Sequence, residues 1–358
     1  MHKTRAARHT KGSLFLRKEG FSMTVRNGDT VIFGTPPVIH TWAAAGGKKE
    51  AEGPLADAFD LLFPDTTCGS SKWEQAESIL QQKCVERCLK KANLDPDQID
   101  LTFAGDLQAQ CTASNYTMRV LGSPYAGLYG ACSTMAEGLS LAACFAAAGY
   151  GQQVLAFTSS HFCAAERQFR TPLDYGGKRP PTAQWTATAA GACLLSPAGR
   201  GVSVHSVTFG RVQDYDVHDI NNMGAAMMPA AVSTLMHHFD DTGTVPADYD
   251  AVFTGDLGEV GSGLLYRQMR AEGYDLSNHL DCGCLLYDVG NQHVQAGGSG
   301  AGCSAAVLCT FVLPRLADGR WKRVLFLSTG ALMSQTTYLQ GESIPGIAHA
   351  VELRAQEG

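Results

Sequence analysis

Residues 129–145, YGACSTMAEGLSLAACF, set a cysteine between an apolar run and a segment whose small and apolar residues recur at helical spacing. This pattern predicts a strand over residues 126–131, a helix over residues 133–148, and Cys132 on the turn between them. At such a turn, unpaired helix N–H groups and the positive end of the helix dipole favour a thiolate. The same position also suits a neutral thiol that helps to bind an anion at the helix end.

The organisation around this stretch occurs twice along the chain. IDLTFAGDLQAQ at Ile99 recurs as YDAVFTGDLGEV at Tyr249, and in both copies an apolar strand pattern ends in Gly-Asp-Leu before a helical pattern. Residues 129–145 recur as AGGSGAGCSAAVLCTF from Ala296, with small residues at the turn and an apolar helix beyond it. The two halves are therefore predicted to be one unit used twice.

Two further pairs of segments support the duplication. VLAFTSS at Val154 matches VLFLSTG at Val324, and the opening DTVIFGTPPV at Asp29 resembles VSVHSVTFGRV at Val202. The sequence thus predicts three parts: a basic and disordered tail over residues 1–28, a first half over residues 29–200 that carries Cys132, and a second half over residues 201–358.

Each half alternates continuous apolar strands with longer helical patterns, which predicts an α/β fold with mainly parallel sheets covered by helices. Residues 73–92 illustrate this, because their apolar residues form one stripe at helical spacing and Ser71 with Glu74 offers a capping box. The helix after Cys132 is rich in alanine and glycine nearly all round. It is predicted to be a central helix that is packed on both sides.

Composition restricts the classes of function. The chain has 358 residues, of which 45% are hydrophobic and 17% are charged, as in a well-packed globular protein. Its net charge of −6 argues against a general nucleic-acid binder, whose surface would be basic. Small anions remain possible ligands, since a local site is not governed by the net charge.

The chain contains twelve cysteines, most of them in apolar periodic segments, which indicates buried and reduced thiols rather than a disulfide framework. Cys282 and Cys284, near His279 and Asp281, are conceivable metal ligands. No second cysteine pair stands at the spacing of a zinc site, so neither a metal nor a cofactor is expected.

No apolar run approaches the roughly 20 residues that span a bilayer, so a soluble or peripheral protein is expected. The first segment is basic and its apolar stretch LFLR is too short for a secretory signal. A basic tail can hold weakly to an anionic membrane surface. Alternatively, Met23 is the natural start of the protein.

Two βα halves with a cysteine before a buried alanine- and glycine-rich helix resemble the thiolase fold over residues 29–353. A denser resemblance, to the stage V sporulation protein AD family, is carried by the following segments: TPPVIHTWAAAGGKKEAEGPL, FAGDLQAQ, GLYGACST, TSSHFCAAERQFR, DYGGKRP, TGDLGEVG, DCG, AGGSGAGCSA and ESIPGIAH. These resemblances imply a five-layered αβαβα architecture and a homodimer.

The family resemblance also implies a function. It implies a peripheral location at the inner membrane of the developing spore, together with other SpoVA membrane proteins. It further implies binding of dipicolinic acid, free or as its calcium chelate, during uptake of this compound into the spore. None of these properties follows from composition or spacing alone.

A condensing enzyme of the thiolase fold needs partners for its cysteine, namely a base for the thiol proton and neutral donors for the oxyanion. In this sequence, Asp256 stands at the strand end that would carry a histidine, and Gly302 or a neighbour stands where an asparagine would be. A carboxylate would repel the oxyanion, so these substitutions argue against condensation. His161, at a strand end, and His349 are the alternative bases.

Dipicolinate is a flat pyridine with two carboxylates, and the arginine fork matches a carboxylate. The segment HFCAAERQFRTPLDYGGKRP supplies Arg167, Arg170, Lys178 and Arg179 shortly after a strand end. Alternatively, Glu166 pairs with Arg170 along one helical turn at the surface. The predicted ligand-binding residues are Cys132, Ser133, Ser160, His161, Arg167, Arg170, Lys178 and His349.

Two remaining motifs are predicted to be structural. Asp106 and Asp256 occupy equivalent places in the two halves and are expected to accept N–H bonds where strand passes into helix. GGSGAG at Gly297 lacks a full dinucleotide fingerprint, so close helix packing explains it better.

The sequence therefore predicts a thiolase-fold protein that has kept the cysteine, has lost the usual catalytic partners, and binds a small aromatic dicarboxylate. Two alternatives stay open. One is an acyltransferase that uses Cys132 as nucleophile with His161 or His349 as base. The other is a scaffold for partner proteins with a vestigial pocket.

Overall fold

The computed structural model of the protein describes residues 23–170 and 176–356. These residues form fifteen strands: β1 (Val25–Asn27), β2 (Thr30–Ile32), β3 (Val38–Gly46), β4 (Leu61–Leu62), β5 (Leu101–Gly105), β6 (Tyr125–Gly127), β7 (Val154–Ser160), β8 (Trp185–Thr186), β9 (Ala189–Ser196), β10 (Val202–Thr208), β11 (Ala251–Thr254), β12 (His279–Asp281), β13 (Gly298–Ser299), β14 (Arg323–Ala331) and β15 (Gly346–Ala355).

The same part of the chain forms ten α-helices: α1 (Trp73–Ala92), α2 (Thr112–Leu121), α3 (Thr134–Ala147), α4 (Phe162–Arg170), α5 (Met223–Thr242), α6 (Gly258–Ala271), α7 (Cys282–Leu286), α8 (Ala301–Val307), α9 (Leu313–Ala317) and α10 (Gln335–Leu339). A π-helical segment, Leu308–Val312, joins α8 to α9. No helix within residues 23–170 and 176–356 is long and apolar enough to cross a membrane.

The main strands lie in the order β12-β11-β14-β15-β10-β3-β9-β7-β5-β6. Dividing this order between β10 and β3 separates the two halves, which gives β3-β9-β7-β5-β6 for the first half and β10-β15-β14-β11-β12 for the second. If the five strands of each half are numbered along the chain, both halves have the order first, fifth, fourth, second, third. Strand directions repeat as well, because β6, β5 and β7 run parallel, as do β12, β11 and β14, while β9 and β15 run antiparallel to their neighbours. The repeated sequence therefore corresponds to a repeated topology.

The expectation of mainly parallel sheets is wrong outside these two sets of three strands. β3 pairs antiparallel with β9, and β10 pairs antiparallel with both β15 and β3. A strand that is buried on both faces has the same continuous apolar pattern in either direction, so the sequence could not distinguish the two cases.

The helices and sheets form five layers. On one outer side, α1 packs on β3, β7 and β9, and on the other outer side α5 packs on β14 and β15. Between the sheets lie α3, which contacts β5, β7, β9, β14 and β15, and α8, which contacts β3, β7, β9 and β14. This arrangement confirms the αβαβα architecture and the central position of the helix after Cys132.

Helix α1 begins and ends where the sequence predicts, but the proposed capping box does not form. Lys72 is the N-cap residue and no side chain caps it. Glu74 instead accepts a hydrogen bond from the Arg167 guanidinium, which lies far along the sequence. The apolar stripe of the helix is buried against the sheet, with Leu80, Cys84 and Cys88 in the outer core of the first half.

Two predictions near the N-terminus need correction. Residues 1–22 of the proposed tail lie outside the described residues, but Val25–Asn27 is ordered as β1 and pairs antiparallel with β2. The segment at Asp29 is not the counterpart of the segment at Val202, because β2 pairs with β10 and the topological equivalent of β10 is β3. A short apolar resemblance was too weak to fix this correspondence.

Candidate functional site

A cavity of about 440 Å³ opens where β5 and β6 end, and both halves of the chain line it. Its polar lining residues include Asp106, Gln108, Gln110, Cys132, Glu166, Gln168, Arg170, Gln184, Thr186, Asn221, Ser299, Ser334 and Thr337. Its apolar lining residues include Tyr129, Phe169, Ile220, Met223, Met227, Leu332 and Met333. The volume and the mixed lining are those of a site for a small organic molecule.

The turn that presents Cys132 is tighter than predicted. The strand is limited to β6, and residues Ala131–Ser133 form one 3₁₀ turn that leads directly into α3. Ala131 has φ +52°, a left-handed conformation that costs free energy in a residue other than glycine. This turn brings the partly exposed Cys132 side chain to the cavity at the start of the central helix.

The side chain facing Cys132 is the carboxyl group of Asp256. Asp256 is fully buried and accepts hydrogen bonds from the Thr329 hydroxyl at 2.7 Å, the Gly300 N–H at 3.0 Å and the Ser299 hydroxyl at 2.9 Å. The charge of Asp256 also acts on the Cys132 thiol. Asp256 thus has the structural role expected from the sequence and is also an acidic neighbour of the cysteine.

The surroundings of Cys132 disfavour the thiolate, which was one of the two interpretations of this turn. Burial raises the pKa of the Cys132 thiol well above its usual value, and the negative charge of Asp256 raises it further. Burial also raises the pKa of Asp256 to about 6, although its hydrogen bonds act in the opposite direction. The arrangement therefore keeps the thiol protonated, as in the interpretation of Cys132 as a neutral thiol at the turn.

Neither candidate histidine lines the cavity. His161 is fully buried, with Nε2 2.8 Å from the Thr66 carbonyl and Nδ1 accepting the Ala164 N–H at 3.4 Å. His349 Nδ1 accepts the Gly210 N–H at 3.2 Å. Burial lowers the pKa of His161, and it lowers that of His349 to about 4. Both rings are neutral groups that hold the backbone around them. The structure does not bring either of them to the cavity of Cys132.

The predicted serines are also structural. Ser133 is buried and donates its hydroxyl to the Gly130 carbonyl at 2.6 Å, which closes the turn before α3. Ser160 is buried, donates to the Ala187 carbonyl at 2.7 Å and accepts the Gly302 N–H at 3.1 Å. Ser160 therefore connects the first half to the start of α8 instead of facing the cavity.

Of the predicted cationic residues, the structure brings only Arg170 to the cavity of Cys132. Its guanidinium lies 3.2 Å from Glu166 and donates to the Asn221 side chain at 2.7 Å. The pairing with Glu166 was the alternative interpretation of this helix, and this pair forms. Glu166 lines the cavity as well, and ligand binding by Arg170 stays a prediction.

The other cations lie elsewhere. Arg167 pairs with Glu74 on the outer surface. Lys178 and Arg179 line a neighbouring cavity of about 310 Å³, where Arg179 pairs with Glu166 and donates to the Gln184 carbonyl at 2.7 Å. Closeness in sequence was a poor guide here, because Arg167 and Arg170 both lie on α4 and yet face different sides.

Sequence reasoning missed a buried polar cluster next to the cavity. Glu77 and Gln81, on α1, are 1% and 0% exposed, and they lie against Asp106, Ser114 and Gln108. A signal for this cluster existed, because Glu77 and Gln81 fall one turn apart on the buried stripe of an otherwise apolar helix face.

The residues of the possible metal motif have other partners. Asp281 caps α7 by accepting the Cys284 N–H, and it also accepts the Leu257 and Gly258 N–H groups. His279 Nε2 lies 2.8 Å from the Thr254 hydroxyl. Within residues 23–170 and 176–356, no group of three or more histidine, cysteine or acidic side chains is arranged to hold a metal ion.

The sequence profile of one family, described as stage V sporulation protein AD, matches residues 27–354. Stage V sporulation protein AD of Bacillus subtilis (strain 168) is 41% identical over 330 residues, which cover 92% of this chain and 97% of the relative. The family profile spans the cavity and all the predicted ligand-binding residues.

Solved structures with the same fold include two enzymes. 3-oxoacyl-[acyl-carrier-protein] synthase III from Aquifex aeolicus VF5 aligns with a TM-score of 0.54 and 11% identity over 89% of this chain and 99% of that chain. Cerulenin-bound OleA of Xanthomonas campestris aligns with a TM-score of 0.57 and 15% identity over 92% and 99%. At these identities the likeness establishes the thiolase-like fold alone.

Proposed function

The chain belongs to the stage V sporulation protein AD family, and from this membership we propose that it binds dipicolinic acid without catalysing a reaction. The ligand occupies the cavity beside Cys132, free or as its calcium chelate. The protein thereby supports uptake of dipicolinic acid into the developing spore, as a peripheral component of the SpoVA channel at the inner membrane.

The observation that carries this proposal is the environment of Cys132 beside the buried Asp256. A nucleophilic cysteine is favoured by a depressed pKa, whereas burial and then the charge of Asp256 raise the pKa of this thiol. Among the described residues that line the cavity there is no histidine. A polar but unreactive thiol at the end of the cavity is suited to binding rather than to bond formation.

The cavity lining fits a flat aromatic acid. Phe169, Ile220, Met223 and Met227 supply apolar surfaces against which a pyridine ring can lie. Arg170 supplies a guanidinium fork that can hold a ligand carboxylate in two parallel hydrogen bonds. The volume of about 440 Å³ exceeds that of the ring and its two carboxyl groups, so water or a cation can enter with the ligand.

The lining also offers oxygen atoms that could bind the calcium ion of the chelate. Asp106 and Glu166 contribute two carboxyl groups to the cavity, whereas Arg170 contributes one guanidinium. Gln184, which also lines the cavity, has a buried side-chain oxygen with no hydrogen-bond partner among the described residues. Calcium prefers such oxygen ligands, and its charge offsets that of the dicarboxylate.

A homodimer is consistent with the open edge of the sheet. β6 is the outermost strand of the first half, and beside it α2 exposes the apolar residues Tyr116 and Val120. Tyr129 is 68% exposed and also lines the cavity. Pairing of β6 with its symmetric copy would cover this surface and would extend the sheet across the dimer.

Calorimetric titration with dipicolinate, with and without calcium, tests the proposal. We expect saturable binding that Arg170→Gln weakens by about tenfold to 100-fold, since a charge-assisted hydrogen bond contributes about 1.5–3 kcal/mol. Arg167→Gln is the matched control on the same helix, and it should change the affinity by less than about twofold. Absence of binding at millimolar ligand would refute the proposal.

Acyl transfer is the competing function, because Cys132 starts the central helix of a fold that synthases share. It predicts a covalent acyl adduct at Cys132 after incubation with acyl thioesters, detectable by intact-protein mass spectrometry. The binding proposal predicts no adduct, and it predicts that Cys132→Ala still binds dipicolinate. An adduct that disappears in Cys132→Ala would favour the enzyme.

A further inference from the structure

One wall of the cavity is backed by a closed ring of hydrogen-bonded side chains. Two lining residues belong to the ring: the Asp106 carboxylate, which accepts the Gln108 N–H at 2.9 Å, and the Gln108 amide, which donates to Glu77 at 2.7 Å. The Ser159 hydroxyl donates to Glu77 at 2.7 Å. The Gln81 amide donates to the hydroxyls of Ser159 at 2.8 Å and Ser114 at 3.1 Å. The Ser114 hydroxyl donates to Asp106 at 2.7 Å, which closes the ring.

The two carboxyl groups of the ring are both buried. Glu77 is 1% exposed and Asp106 is 5% exposed. Burial, and then the charge of Asp106, raise the pKa of Glu77 to about 8, and burial raises that of Asp106. Two carboxylates in so dry a place cannot both stay ionised at neutral pH, so the pair retains a proton there.

The ring contains one hydrogen-bond acceptor that has no partner among the described residues. The Gln81 side-chain oxygen is buried and has no hydrogen-bond partner among the described residues. If the Gln81 amide turns over, this oxygen can accept the hydroxyls of Ser114 and Ser159, and those hydroxyl oxygens can then accept from protonated carboxyl groups. Protonated carboxyl groups can thus find acceptors within the ring, whereas the Gln81 N–H₂ group then loses its two serine acceptors.

The surroundings do not neutralise the pair. No arginine or lysine among residues 23–170 and 176–356 forms an ion pair with either carboxyl group. Glu74, one turn earlier on α1, adds negative charge but is itself paired with Arg167. Burial raises the pKa of Cys111 to about 11 and also raises the pKa of Tyr125, so both groups stay neutral.

Around Asp106 one more acid is close. Glu137, on α3, acts on Cys111, and burial raises the pKa of this carboxyl group too. The first half therefore places two buried acids, Glu77 and Asp106, and the half-buried Glu137 near this wall, and no cation is paired with the ring in residues 23–170 and 176–356. An anion that binds beside Asp106 meets negative charge there, which a proton on the pair reduces.

We propose that the cavity takes up a calcium-free anionic ligand together with a proton, which the Glu77–Asp106 pair holds. The inference rests on the proposed function for the identity of the ligand. A ligand carboxylate next to Asp106 disfavours ionisation of the pair, so the bound state holds more protons than the free state. By linkage, affinity is highest below the pKa of the free pair and falls as pH rises through it.

Calorimetry with calcium-free dipicolinate at pH 8.5, in buffers that differ in ionisation enthalpy, measures the proton uptake directly. For a rise of one pKa unit on binding, from the value of about 8, we expect uptake of about half a proton per ligand. The same rise weakens wild-type binding about fivefold between pH 7 and pH 9.

Two variants assign the proton. Glu77→Gln should abolish the uptake at pH 8.5 and should flatten the pH dependence of affinity. Glu86→Gln, on the exposed face of the same helix, should leave both unchanged. The wild-type measurement alone gives the sign of the effect, so the test does not depend on how well a variant folds.

The outcomes separate the two claims. Wild-type binding without buffer-dependent heat, or uptake that persists in Glu77→Gln, overturns the proton coupling and leaves the proposed function intact. Absence of any dipicolinate binding overturns both. Uptake that is present in the wild type and in Glu86→Gln but lost in Glu77→Gln supports the coupling.

Discussion

At the scale of the residue, Asp256 determines what Cys132 can do. The sequence predicted that an acid replaces the histidine of a condensing enzyme at this strand end, because the Gly-Asp-Leu motif marks the position. It could not predict that this carboxylate raises the pKa of the Cys132 thiol in the folded chain. The turn that presents Cys132 has a left-handed residue, Ala131, and this conformation leaves no sign in a sequence that has alanine there.

Asp256→Asn should make Cys132 more reactive. The amide keeps an oxygen for the Gly300 N–H and removes the charge that raises the pKa of the thiol. Because each unit of pKa changes the thiolate fraction tenfold, we expect alkylation of Cys132 by iodoacetamide at pH 8 to accelerate about tenfold. Peptide mapping by mass spectrometry gives the rate for this cysteine alone.

The matched control is Asp57→Asn, which neutralises an exposed carboxylate elsewhere in the first half. It should leave the alkylation rate of Cys132 unchanged. If Asp256→Asn also leaves the rate unchanged, the charge of Asp256 is not what suppresses the thiol, and burial alone would account for its low reactivity.

At the scale of the element, helix α8 shows why the glycine-rich segment before it is structural. A Cβ atom on Gly302 would lie 2.1 Å from the Ala189 carbonyl oxygen, and one on Gly191 would lie 2.5 Å from the Ala305 carbonyl oxygen. Helix and strand are therefore in backbone contact. Close packing, rather than phosphate binding, explains GGSGAG, as the sequence predicted.

Gly302→Ala should lower the free energy of unfolding by about 3 kcal/mol, because the added methyl group forces α8 away from β9 in a closely packed core. Gly263→Ala is the matched control, since a Cβ at this exposed helical glycine meets no atom within 4 Å. It should raise the stability by about 0.5–1 kcal/mol through helix propensity. Urea unfolding measures both, and equal effects of the two substitutions would contradict the packing argument.

Other elements show where sequence reasoning stops. Periodicity placed α1 correctly, because its apolar stripe is determined by burial along the whole helix. The predicted capping box at Ser71 failed because Glu74 finds a stronger partner in Arg167. Local motifs at helix ends compete with long-range ion pairs, and only the folded chain determines which interaction forms.

At the scale of the whole molecule, the two halves are not separate bodies. The N–H of Ala136, on the central helix of the first half, donates to the Ser328 hydroxyl of the second half at 3.3 Å. The N–H of Gly302, on the corresponding helix of the second half, donates to the Ser160 hydroxyl of the first. Duplication was visible in the sequence, but this reciprocal packing was not, because it joins residues that lie far apart in the chain.

The same reciprocity explains which site residues could be foreseen. Cys132 and Arg170 line the cavity, and both were singled out in the sequence because each follows the end of an apolar strand pattern. Ser299 and Asn221 come from the other half, and no local pattern connects them with Cys132. His161 was predicted from its position at a strand end and His349 from the turn before it, whereas buried hydrogen bonds hold both away from the cavity.

Because α3 and α8 form one shared layer, the chain should unfold in a single transition, with circular dichroism and tryptophan fluorescence giving coincident curves.

If the chain is cut between residues 200 and 201, each fragment exposes the apolar face of its central helix and of its sheet, so neither fragment should fold alone. Co-expression of residues 1–200 with residues 201–358 should restore a soluble complex, because the cut lies in an exposed loop between β9 and β10 and breaks no core contact. Cooperative unfolding of the isolated fragment 1–200 would show instead that each half carries a sufficient core, and that the shared helix layer is not required for folding.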